Sequence, residues 1–143
     1  MILCDVNVLV VAHREEMVDH EAVREWLDRA RGGPEPFAVS DHVLAGFVRV
    51  VTHPRVFDPP TPAALAIEFA DRLHSDPHAV PVAPGPRHWS IFKDLCRTAD
   101  ARGNLVADAY LAALAIECGC EWVSLDRDFA RFADLRWRHP LSR

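Results

Sequence analysis

Short apolar runs alternating with helical patterns restrict this chain more than any other feature. Residues 2–4, 37–39, 79–83 and 121–125 are brief and mostly apolar, too short for core helices. Between them lie segments of helical periodicity. From 19 to 31 the apolar positions Ala22, Val23, Trp26, Leu27 and Ala30 recur at steps of three and four, which marks one buried stripe on a helix. Gly32-Gly33-Pro34 stops it. Residues 7–13 read as a first helical turn or two. Ser40 can cap a helix over 41–52, whose Val43, Leu44, Phe47, Val48, Val50 and Val51 make it apolar nearly all round and predict burial. Thr61 is placed to cap a helix running to 74, Pro86 begins one that reaches 101 and closes at Gly103, and 105–116 is a further helix rich in alanine. A short helix at 127–132 and an edge strand at 135–137 end the pattern. Strands separated by helices pair in parallel through crossovers. The expectation is an α/β fold with a mostly parallel, twisted sheet and helices on both faces.

The chain has 143 residues, half of them hydrophobic. That length suits one domain over 1–143, burying roughly two-thirds of its unfolded surface. Charged residues are 26% of the chain and mixed in sign, which excludes a disordered class. No apolar run approaches the roughly 20 residues that span a bilayer. The opening residues carry no basic leader, so a cytoplasmic setting is expected. In such a setting Cys4, Cys96, Cys118 and Cys120 read as small core residues rather than a disulfide framework. The net charge of −5 argues against a nucleic-acid ligand, unless the acids gather around a cation that inverts the local field.

Three aspartates carry the chemistry. Asp5 follows the first strand and Asp126 follows the strand at 121–125. In open parallel sheets ligands bind at the carboxyl ends of strands, so both acids can converge there. Converging carboxylates repel and their pKa values rise, unless a cation neutralises them. Asp108 is more telling, because it sits on the alanine-rich helix with only Tyr110 as a polar neighbour. An ionised acid among apolar residues is expensive unless paired or bound to metal. Ala112 and Ala115, one and two turns on, leave that helix face shallow enough to approach the sheet. All-oxygen ligands suit Mg²⁺ or Mn²⁺ rather than zinc. The eight histidines are scattered without zinc-site spacing. Asp5 and Asp126, each taken alone, also fit a plainer role as a turn former or helix cap.

The run Ile2-Leu3-Cys4-Asp5-Val6-Asn7-Val8-Leu9 resembles the first motif of PIN-domain ribonucleases, especially the VapC toxins of toxin–antitoxin pairs. The stretch from Gly103 through Asp108 to Ala115 resembles the third motif, and Trp122-Val123-Ser124-Leu125-Asp126-Arg127-Asp128-Phe129 the fourth. The run from Val43 to Arg55 is similar to one branch of these toxins. The resemblance implies a PIN-like three-layer sandwich and a Mg²⁺-dependent endoribonuclease, with Mn²⁺ as a substitute ion, that hydrolyses RNA phosphodiesters. It implies Asp5 and Asp108 as metal ligands, Asp126 as a further acid, Asp128 as an auxiliary and Asn7 as an orienting group. It further implies a cognate VapB-like antitoxin as partner. Gly46 stands where many relatives carry a glutamate, and Asp41 is the residue that could reach in instead. Arg49, Arg55, Arg127 and Arg131 can grip flanking phosphates.

Two other classes fit parts of the pattern. Phosphotransfer enzymes also place Asp at strand ends, but Asn7 occupies the place of their second acid. A PIN fold that only binds is kept open by Gly46. A homodimer is expected from the apolar helix at 41–52 together with Trp26, Phe37 and Phe57, which a small domain has difficulty hiding.

Overall fold

A computed structural model describes residues 1–142. The elements run β1 (Ile2–Cys4), α1 (Val6–His13), α2 (His20–Gly32), β2 (Phe37–Val39), α3 (Asp41–Val51), α4 (Ala63–His74), β3 (Ala79–Pro81), α5 (His88–Thr98), α6 (Asn104–Glu117), β4 (Glu121–Val123), a 3₁₀ turn (Arg127–Arg131) and β5 (Trp137–Arg138). The five strands form one sheet in the order β3-β2-β1-β4-β5, and every pairing is parallel. Successive strand side chains point to opposite faces. Ile2, Leu3 and Cys4 are all buried, as are Phe37, Ala38 and Val39, so helices cover both faces of the sheet centre. This is the α/β sandwich that the alternating pattern predicts. Helices α1 to α4 pack on one another, and α5 packs along α6.

The strand order fixes where a ligand can sit. From β1 the chain steps outward through β2 and β3, then returns to β4 and β5 on the other side. The loops after β1 and β4 therefore diverge, and their gap is the crevice of such sheets. Register matches Cys4 with Val123, and the Asp5 amide donates to the Val123 carbonyl at 2.8 Å. Whatever follows these two strands meets at that gap.

Several local expectations change. Helix α3 is not buried all round: Val43, Leu44, Phe47 and Val51 face inward, while Asp41, His42, Ala45 and Arg49 are exposed. Val48 and Val50 are half-buried against the core, because α3 packs on α1 and α4 and leaves its remaining face open. Thr61 caps nothing. It is buried, and its hydroxyl bonds His13 Nε2 at 3.2 Å and Arg14 Nη1 at 3.0 Å, while α4 begins after Pro62. Gly103 does not close α5, which ends at Thr98. It stands at the start of α6 with φ +56°, a value glycine tolerates at little cost. The apolar groups behind the homodimer expectation are spoken for: Trp26 and Phe37 are in the core, and Phe57 lies half-buried 4.2 Å beneath the Arg14 guanidinium. All four cysteines are free thiols. Among the described residues no helix is long and apolar enough to cross a membrane.

Candidate active site

Asp5 is held from two sides. It caps α1, its Oδ1 accepting from the Val6 amide at 2.7 Å, and its Oδ2 accepts from the Ser124 hydroxyl at 2.6 Å. Ser124 is fully buried and is the hub of the site. Its Oγ also accepts from Asn7 Nδ2 and from the Asp126 amide, each at 3.0 Å. A hydroxyl has one proton and two lone pairs. Both lone pairs are taken, so the proton is committed to Asp5. Asn7 closes the ring by accepting from the Leu125 amide at 3.1 Å. Asn7 therefore orients Asp5 through Ser124 rather than directly.

The wiring favours the carboxylate, but the surroundings oppose it. Burial raises the Asp5 pKa to about 6, the Ser124 and Val6 hydrogen bonds pull it down, and the charges of Asp108 and Asp126 push it up. Asp108 lies half-buried on the first turns of α6. Its pKa is raised as well, chiefly by burial and then by Asp126 and Asp128. Among the described residues it accepts no hydrogen bond. The fully buried Ala112 and Ala115 let α6 seat closely enough to bring this carboxylate to the gap.

Asp126 serves two ends. It is exposed, and its Oδ1 caps the 3₁₀ turn by accepting from the Asp128 amide at 2.8 Å. Its charge nevertheless reaches both Asp5 and Asp108. Asp128 bears on Asp108 and lies 3.8 Å from Arg131, so that arginine neutralises an acid at the rim. Asp41 does not join the group. Its exposed carboxylate sits 3.1 Å from His74, in a hollow between α3 and α4.

The acids open into a cleft of about 820 Å³, lined by Asp5, Val6, His42, Gly46, Arg49, Phe92, Asp108 and Tyr110 among others. Arg49 is the one predicted arginine in this lining. Arg55 and Arg127 are exposed outside it. Gly46 does face the cleft, but a Cβ built there would come 2.8 Å from Val6 Cγ2. The glutamate of relatives could not be added without moving Val6. A smaller pocket of about 240 Å³ between α1, α2 and α4 contains none of these acids.

Among the described residues no three His, Cys, Asp or Glu side chains converge as a metal-binding group. Asp5 and Asp108 share the cleft as a pair of oxygen donors, each with lone pairs to spare. Two carboxylates with water filling the remaining positions fit the habits of Mg²⁺ or Mn²⁺, whereas one imidazole, His42, and no thiol in the lining make a poor match for zinc. Sequence reasoning missed Ser124, His42, Phe92 and Tyr110. Ser124 had a signal: a small polar residue in an otherwise apolar strand end, two before Asp126. Phe92 had none.

The PIN domain family model matches residues 2–135. The chain is 50% identical over 141 residues to Ribonuclease VapC43 of Mycobacterium tuberculosis, covering 99% of this chain and 96% of the relative. It is 47% identical over 140 residues to Ribonuclease VapC25 of the same organism, covering 98% and 99%. Among solved structures, a chain of VapBC-1 from nontypeable Haemophilus influenzae superposes with a TM-score of 0.71 at 14% identity, covering 99% of this chain and 100% of the other. Fold, acid placement and near full-length identity agree: the chain belongs to the PIN-domain family, in its VapC branch.

Proposed function

We propose that this protein is a metal-dependent endoribonuclease and the toxin of a toxin–antitoxin pair. The observation that carries the reading is the buried, hydrogen-bonded Asp5 facing the hydrogen-bond-free Asp108 across one cleft at the sheet's switch point. Two like charges held together without a counter-charge are poised for a cation. The relatives named as ribonucleases supply the substrate class.

Asp5 and Asp108 would hold the ion. When bound, such an ion would supply Lewis-acid chemistry toward a phosphodiester and its attacking water. Ser124 keeps Oδ2 of Asp5 turned to one position, and Asn7 keeps Ser124 from rotating away. Asp126 adds negative charge that strengthens cation binding at the rim. Arg49, on the cleft wall, is placed to bind a flanking phosphate of an RNA strand. The protein's net charge of −5 then matters less than this local pattern.

Asp108→Asn tests the reading. It should abolish cleavage of RNA and weaken Mn²⁺ binding at least tenfold by calorimetry, with the fold unchanged by circular dichroism. Cleavage persisting in the variant, free of contaminating nuclease, would overturn the assignment. A binder without chemistry is the second reading, favoured by the failure of three ligands to converge and by Gly46. Measurable Mn²⁺ binding without RNA cleavage decides for it.

The toxin role brings a partner. A VapB-like antitoxin that folds onto the chain and sends a basic side chain, such as arginine, toward Asp5, Asp108 and Asp126 would compete with the ion for the same carboxylates. Co-expression with the adjacent reading frame should yield a complex whose release restores nuclease activity. A homodimer in the cytoplasm belongs to the same proposal, on the likeness to VapC toxins and not on Trp26, Phe37 or Phe57, and light scattering of the purified chain checks the stoichiometry.

A further inference from the structure

The α3 wall of the acid cleft is a single stripe of side chains, and the mechanism above uses only its last member. His42, Ala45, Gly46 and Arg49 all line the cleft. Residues three and four apart share one face of a helix. The middle of this stripe is small, and its two ends carry nitrogen donors. A Cβ on Gly46 would stand 2.8 Å from Val6 Cγ2, so Asp5, the residue before Val6, is level with the middle of the stripe. His42 and Arg49 are about 10 Å apart along the helix axis, from the rise per residue of an α-helix.

The fold employs neither end. His42 and Arg49 are exposed, and among the described residues neither side chain makes a hydrogen bond or an ion pair. Asp41, beside His42, pairs with His74 instead. His42 is nonetheless held, because its ring leans on Tyr110 of α6 with centroids 5.1 Å apart and planes at 39°. That contact uses the ring and leaves its nitrogens without a partner. Along the cleft the order is therefore donor, acids, donor. A matching ligand carries two separated anions, with a third between them where Asp5 and Asp108 would hold a cation. Phosphates on one nucleic-acid strand are at least about 3.4 Å apart along its axis. A span of about 10 Å then leaves room for one phosphate between the two at the ends.

We infer that His42 and Arg49 clamp the phosphates on either side of the scissile one, and that the clamp sets the scissile phosphate over Gly46, against Asp5 and Asp108. Phosphate contacts of this kind fix register and carry no base sequence. Gly46 becomes the gap through which the strand reaches the helix backbone, a use that suits glycine where a ligand approaches closely. His42 thus decides which bond of the strand faces the acids. The inference rests on the nuclease reading for its substrate class.

The test neutralises one phosphate at a time. Asp108→Asn protein in EDTA is titrated by anisotropy with fluorescein-labelled r(UUUU). Two further tetramers carry an uncharged methylphosphonate at the first or the last linkage. Each neutral linkage should weaken binding about tenfold, as for one lost hydrogen bond to a charged group. Adding His42→Ala should weaken r(UUUU) to a similar degree and abolish the penalty at one end linkage only. Arg49→Ala should abolish it at the other, as a double-mutant cycle between protein and ligand requires. His42→Gln, which keeps an N–H donor, should recover part of the affinity. In the otherwise native chain His42→Ala should leave Mn²⁺ affinity unchanged by calorimetry. A clear loss of Mn²⁺ binding would make His42 a metal ligand and overturn the clamp. So would a His42→Ala protein that stays sensitive to both end linkages, or a parent that binds no tetramer at millimolar concentration. In each of these cases RNA cleavage by the native chain keeps the nuclease reading standing. If the native chain with Mn²⁺ cuts no RNA, that reading fails and the clamp loses its substrate with it.

Discussion

At the scale of single residues, Ser124 is the least replaceable side chain of the site. Ser124→Ala removes the partner of Asp5 Oδ2, Asn7 Nδ2 and the Asp126 amide at once. Leaving such groups unsatisfied should cost about 2–4 kcal/mol in denaturant unfolding. Because the Ser124 bond lowers the Asp5 pKa, its loss should also move the acid limb of the activity profile to higher pH. A limb unmoved by the change would show that Asp5 does not titrate there. The same wiring decides which acid to mutate. An asparagine at 5 would turn its amide NH₂ toward either the Val6 amide or a hydroxyl whose two lone pairs are already filled. Asp108 makes no such bonds, so Asp108→Asn is the cleaner substitution. In metal-free buffer at pH 7 it should leave stability within about 1 kcal/mol of the native chain, on the stabilised side, since its half-exposed charge is screened. It should also lower the Asp5 pKa, which carboxyl-carbon NMR can follow, because Asp108 is one of the charges holding it up.

At the scale of elements, the site depends on how closely α1, α3 and α6 approach. Gly46 of α3 faces Val6 at the start of α1. Gly→Ala inside a helix ordinarily gains about 1 kcal/mol, but here the new methyl would sit 2.8 Å from a stiff β-branched side chain. Overpacking of that kind costs about 1–3 kcal/mol, so Gly46→Ala should be destabilising by about 1 kcal/mol. Pairing it with Val6→Ala should relieve the strain, giving a favourable coupling in a double-mutant cycle. Gly46→Glu should bind Mn²⁺ more tightly than the native chain only in the Val6→Ala background. Helix α5 hangs on a different contact. Glu117, at the end of α6, accepts from the amides of Gly85 and Arg87 at 2.7 and 2.9 Å and so fixes the loop entering α5. Glu117→Ala should raise deuterium uptake across residues 84–92 while leaving α6 protected.

For the whole molecule, the buried acid sets a pH signature. The Asp5 pKa is about 6 in the fold against an ordinary 3.8. A pKa raised by folding means that the folded state holds the proton more tightly. Its contribution is fully present below about pH 4 and is lost as pH rises through about 6. At about 1.4 kcal/mol per pH unit, ionising Asp5 costs about 3 kcal/mol of stability. Asp76 and Glu117 act oppositely: hydrogen bonds lower their pKa values, so their contributions are lost only as pH falls below the ordinary carboxylate range. The metal-free protein should therefore lose stability between about pH 4 and 6. Millimolar Mn²⁺ should raise the melting temperature at pH 7.5 far more than at pH 5, because the ion competes with the Asp5 proton. Equal shifts at both pH values would place the ion elsewhere.

The amino-acid sequence determined the alternation of strands and helices, since periodicity and breakers are local properties of the chain. It determined Asp5 and Asp126 as strand-end acids and marked Asp108 as costly on an apolar helix. Tertiary structure decided the rest. Helix α3 reads as buried all round, yet one side of it became the cleft wall, because burial depends on which neighbours arrive. Asp41 and Gly46 lie five residues apart on that helix. The fold turned one toward His74 and the other into the cleft. Asn7, Ser124 and Asp5 form one hydrogen-bonded unit across separations of up to 119 residues. No local pattern encodes that meeting. It follows from β1 and β4 being neighbours in register, a pairing chosen by the packing of the whole sheet.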